Sequence, residues 1–142
     1  MNRRQRILFR TGAILCLVTA AAHGLGHLQG PRTPADETEA QLARLMTEHQ
    51  LDILGTRLTM MQMMKGFSLG YSLFLAWLGA AGLVVAARAP GALRAVAVVN
   101  TLGAAVLLAV SLGHFPPPPI AFAGLIFLAF AGSLVGRASP TA

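Results

Sequence analysis

Four apolar stretches, none containing an acid, set the first limit on what this chain can fold into. They cover residues 7–28, 66–87, 95–115 and 119–136. At about 1.5 Å of rise per residue, segments of this length cross the ~30 Å hydrocarbon core of a bilayer as helices. Hydrocarbon offers no water to the backbone, so an α-helix, which pairs its own N–H and C=O groups, is the form such stretches must take. Charge supports this, because only 11% of the residues are charged and 55% are hydrophobic, whereas a soluble domain carries about 25% charged residues. The expected fold is all-α: an integral membrane four-helix bundle forming a single domain over residues 1–142.

Basic residues and prolines punctuate the stretches. Lys65 and Arg88 bracket the second, Arg94 precedes the third, and Arg137 closes the fourth. Pro116 to Pro119 stop the third helix and predict an extended polyproline connection to the fourth. The first stretch follows Arg3, Arg4, Arg6 and Arg10, the outline of a secretory signal peptide. Its length predicts a retained span instead, and Leu15 before Cys16 argues against a lipoprotein site. With one cysteine, no disulfide forms within the chain, and Cys16 reads as a small packing residue.

Orientation follows from the distribution of the +6 net charge. With the N-terminus inside, the inner positions are Arg3, Arg4, Arg6, Arg10, Arg88, Arg94 and Arg137, with no acid among them. The segment 29–65 holds Arg32, Arg44, Arg57 and Lys65 together with all five acids. The positive-inside rule therefore predicts both ends on the cytoplasmic side of a bacterial inner membrane. Basic residues scattered this way form no polyanion-binding face, which argues against nucleic acid.

Between the first two spans, residues 33–64 predict an extracytoplasmic amphipathic segment. Thr33-Pro34-Ala35-Asp36 is expected to start its helix. Leu42, Leu45, Met46, His49 and Ile53 then fall on one helical stripe, with Gly55 as an interruption.

Helices in lipid associate through close packing and polar contacts rather than hydrophobic drive. Gly66/Gly70 and Gly132/Gly136 make GxxxG pairs, and Gly79, Gly82, Gly103 and Gly124 add flat patches. Packing inside one bundle is expected of them, ahead of homo-oligomer contacts. Ser68, Ser72, Asn100 and Ser111 are expected to bond between helices, at about 0.6–2 kcal/mol each. Asn100, the most polar side chain in any span, is also a candidate pocket lining.

All four histidines fall toward the predicted outer side. His23 and His27 lie four apart on one helix face, His114 ends the third span, and His49 is flanked by Glu48 and Asp52. Two imidazoles at that spacing, with His114, would suit zinc, and histidines from two helices would suit haem. Met60, Met61, Met63 and Met64 add thioethers of the kind that bind monovalent copper. Hydrated interfacial histidines and a flexible methionine run are the simpler reading, with no cofactor. His23 stands out, because an ionisable group inside a span is a functional candidate. No span holds a carboxylate for proton-coupled transport, and no phosphate loop, GxSxG or HExxH occurs.

The string Ala-Ala-Ala-His-Gly-Leu-Gly-His at residues 20–27, then Asp52, Gly55 and Arg57, then Gly66-Phe67-Ser68, and Phe115 with its prolines, resembles a family of small uncharacterised bacterial four-helix integral membrane proteins. The resemblance runs from about residue 10 to 135. It implies the four-helix topology and marks His23, Asp52, Arg57 and Gly66, but implies no activity. Met60 to Met64 depart from the aromatic residues often found there in that family, which weakens any shared ligand site.

The expectation is a binding or accessory module rather than an enzyme, with an outward pocket lined by His23, Asp52, Arg57, Lys65 and Asn100. It would hold a small ligand or a membrane-protein partner. A metal or haem redox protein using His23, His27 and His114 is one alternative, and an oligomeric small-molecule or lipid transporter is the other.

Overall fold

The computed structural model describes residues 1–28 and 33–136, without the side chains of His27 and Leu28. In chain order the elements are α1 (Arg3–Leu28), α2 (Glu37–Glu48), β1 (Gln50–Ile53), β2 (Thr56–Thr59), α3 (Met60–Arg88), α4 (Leu93–His114) and α5 (Pro117–Leu134). A single 3₁₀ turn, Pro90–Ala92, joins α3 to α4. The fold is helical, and four of its helices are long and apolar enough to cross a membrane.

Reciprocal caps fix where α1 and α3 begin. Asn2 Oδ1 accepts from the Gln5 N–H at 2.9 Å, while Gln5 Oε1 accepts from the Asn2 N–H at 2.8 Å. Thr59 and Gln62 repeat the device at the start of α3, at 3.2 and 2.8 Å. Gln5 also donates to the Val135 and Gly136 carbonyls at 3.3 and 3.4 Å, tying the start of α1 to the end of α5.

Three local expectations are corrected. The α2 helix starts at Glu37 with Asp36 as its cap, not at Thr33, because the Asp36 carboxylate accepts the Glu39 N–H at 2.8 Å. It stops at Glu48, so Ile53 leaves the helical stripe and enters a hairpin with register Ile53↔Thr56 and Asp52↔Arg57. The turn puts Leu54 at φ 52° and Gly55 at φ 80°, the two positive values a type I′ turn requires. The prolines make no extended connection: Pro117 to Pro119 form the first turn of α5, with Pro116 as its cap. The first N–H groups of a helix have no partner in it, so proline loses nothing there.

Helix α1 packs between α3 and α5, and α4 packs on the far side of α5. The short turn joins α3 to α4, yet these two touch little. Small residues decide the tight side. A Cβ added at Gly79 would lie 2.6 Å from the Ala13 carbonyl oxygen, and one at Gly82 would lie 3.2 Å from the Ala13 Cβ. Across α1, a Cβ at Gly12 would meet the Phe130 ring at 2.9 Å. Phe9 and Phe130 sit edge to face at 5.5 Å in the middle of the core, both fully buried. By contrast, Gly66, Gly70 and Gly103 face open space.

Candidate functional site

The end of the bundle that carries the hairpin also gathers the last turns of α1, the first turns of α3, the end of α4 and the prolines of α5. A cavity of about 420 Å³ opens there, within the size range of small-molecule sites. Met64, Phe67, Phe115 and Pro119 make its walls apolar. His23, Ser68, Tyr71 and Ser111 supply its polar atoms, and among the described residues no Asp, Glu, Lys or Arg lines it.

His23 is fixed by two contacts with α3. Its Nε2 shares a 2.6 Å hydrogen bond with the Ser68 Oγ. Its ring stands edge to face with Tyr71, at 5.2 Å and 78°. Ser68 and Tyr71, three residues apart, lie on one face of α3, so one helix surface supplies both partners. The Ser72 hydroxyl donates to the Ser68 carbonyl at 3.2 Å, and the Ser111 hydroxyl to that of Leu107 at 2.8 Å. Both leave their oxygen lone pairs as acceptors. A hydroxyl and an imidazole set among apolar walls give the cavity a polar patch, which suits a ligand with a hydroxylated end.

A second cavity of about 380 Å³ follows the loose seam between α3 and α4. Tyr71 lines both cavities. Phe74 and Leu78 form the α3 wall, Gly103 and Leu107 the α4 wall, and Phe130 the floor. Asn100 is its principal polar side chain. It is 5% exposed, and its Nδ2 donates to no acceptor. Burying an amide N–H without an acceptor costs about 1–3 kcal/mol.

No family model matches the chain, and no curated protein or solved structure gives a match.

The residues singled out in the sequence thus occupy different places. His23 lines the first cavity and Asn100 the second. Asp52 and Arg57 face each other across the exposed hairpin, where Asp52 Oδ1 accepts the Gly55 N–H at 3.0 Å and closes the turn. Lys65 is exposed on α3, and none of these three charged residues lines the His23 cavity.

His114 is exposed, and its Nδ1 donates to the Val110 carbonyl at 3.1 Å. The side chain of His27 lies outside the described residues. Among the described residues no three histidine, cysteine, aspartate or glutamate side chains gather as a metal-ligand set. Of the methionines, Met64 lines the His23 cavity, and Met60 joins His49 and Leu45 in a shallow depression under α2. Tyr71, the one tyrosine of the chain, was not singled out from sequence, although it shares a helix face with Ser68.

Proposed function

We propose that this is a multi-pass protein of the bacterial cytoplasmic membrane, with both ends inside, acting as a binding module for a small neutral hydroxylated amphiphile. The membrane part draws support from the outward faces of the long helices. Trp77 is 72% exposed, Val106 65% and Leu128 64%. Side chains like these covering helix after helix need lipid as their solvent. The arginine distribution then directs the hairpin end outward.

The observation that carries the binding role is the 2.6 Å His23–Ser68 bond inside an otherwise apolar cavity. An imidazole placed within a span is costly unless it has a task. Here it presents hydrogen-bonding atoms at the depth where an amphiphile's polar end would meet its chain.

Cysteine protection tests both parts. Met64→Cys places a thiol on the cavity wall and leaves the His23–Ser68 pair intact; the native Cys16 is buried. In intact cells a membrane-impermeant maleimide should label Met64→Cys, and should label Gly91→Cys only after lysis. Octylglycerol should slow Met64→Cys labelling at least threefold, and His23→Ala should remove that protection. Reversed labelling would overturn the orientation. Labelling that octylglycerol leaves unchanged would overturn the binding role.

A further inference from the structure

The seam between α3 and α4 holds a donor that helix folding does not explain. Thr19, Ser72, Thr101 and Ser111 return their hydroxyl protons to carbonyls of their own helix, Thr19 to Leu15 and Thr101 to Ala97 at 2.7 Å each. Asn100 lines the seam cavity, and its buried Nδ2 has no acceptor. We infer that Asn100 is the anchor of a second ligand site, entered sideways from the bilayer, that takes a neutral lipophile bearing a ring carbonyl.

Four observations define the occupant. The donor asks for an oxygen acceptor. Among the described residues the cavity lining contains no Asp, Glu, Lys, Arg or His, which favours an uncharged ligand. Tyr71, Phe74 and Phe130 line the same cavity with aromatic rings, which favours a planar ring over a flexible chain. Depth separates a ring carbonyl from a glycerolipid ester. Asn100 lies seven residues past the start of α4, about 10 Å along the helix axis. Ester carbonyls sit at the edge of the ~30 Å hydrocarbon core, whereas a ring carbonyl on a long hydrocarbon tail dissolves within it. Quinones with an alkyl or isoprenoid tail have this chemistry. The site is separate from the His23 pocket but rests on the same membrane reading.

The test uses the full chain in lipid nanodiscs and decylubiquinone as the probe, with empty nanodiscs as the blank. One saturable site per chain is expected. A decyl-substituted methylbenzene without carbonyls should show no saturable excess. Asn100→Leu should weaken quinone binding at least tenfold. Gly103→Val, whose added Cβ meets nothing within 4 Å, should fill the seam and weaken binding similarly while Asn100 stays in place. His23→Ala should bind the quinone within threefold of wild type, which separates this site from the outer pocket.

The cysteine-labelling pattern of the same preparation reports on the membrane reading independently. Undiminished binding by Asn100→Leu, saturable binding of the carbonyl-free analogue, or no saturable binding by the wild type would overturn the inference. So would a phospholipid that co-purifies stoichiometrically and is lost in Asn100→Leu, or a wild-type dimer that this substitution dissociates.

Discussion

The contact between α1 and α3 can be tested at a single atom. A Cβ at position 79 would stand 2.6 Å from the Ala13 carbonyl oxygen and 2.8 Å from the Leu17 Cγ. Leu17 can rotate away, but the carbonyl belongs to the α1 backbone and can retreat only if the two helices part. Overpacking of this kind costs up to about 3 kcal/mol. Alanine returns about 1 kcal/mol of helix propensity. Gly79→Ala should therefore destabilise the protein by about 2 kcal/mol. Gly70→Ala is the matched control: it lies in the same helix with nothing within 4 Å of its Cβ, so only the propensity gain remains, about 1 kcal/mol of stabilisation. The two variants should differ by about 3 kcal/mol, roughly two orders of magnitude in the unfolding constant. Titration of mixed micelles with sodium dodecyl sulfate, followed by far-ultraviolet circular dichroism, reads that difference. If Gly79→Ala is as stable as Gly70→Ala, the assigned α1–α3 approach is wrong. If Gly70→Ala loses as much as Gly79→Ala, its open face is packed against another chain.

Further substitutions follow from the same geometry. Phe9→Ala removes a fully buried ring and its edge-to-face partner contact with Phe130, and should lower stability by about 3–5 kcal/mol in the same titration. Leu54→Asn should stabilise the hairpin by about 1 kcal/mol, because asparagine tolerates the positive φ that leucine holds at 52°; slower amide exchange over residues 50–59 would show it. Thr59→Ala removes the acceptor of the Gln62 N–H and should cost about 1 kcal/mol, seen as faster exchange in the first turn of α3 without change at its centre.

The four long helices were legible because length and unbroken apolarity suffice to define them. Which helices touch was not. Every helix carries small residues, so glycine positions alone do not name partners: Gly79 and Gly82 are packed against α1, while Gly66, Gly70 and Gly103 on equally plausible faces are open. The hairpin was hidden for a different reason. Its turn has leucine where asparagine would have announced a type I′ turn, and Ile53 continues the helical spacing from Leu42 by coincidence. The prolines misled because their effect depends on position: they break a helix interior but suit a first turn.

Of the candidate site, sequence could mark His23 and Asn100 as unusual but could not supply what each one touches. The partner of His23 lies 45 residues away on a helix whose rotation no local pattern fixes. Of the polar residues expected to bond across helices, Ser68 does so with His23, whereas Ser72 and Ser111 donate to carbonyls of their own helix. Such hydroxyls are satisfied wherever the helix turns, so they constrain its packing little. His23 is pinned by a neighbouring helix, whereas the Asn100 Nδ2 has no acceptor among the described residues. A fold selected only for packing would replace that amide with leucine, removing its desolvation cost and filling the seam. The loose contact between α3 and α4 and the unsatisfied amide beside it are the two features that the proposed lipophile site would explain together.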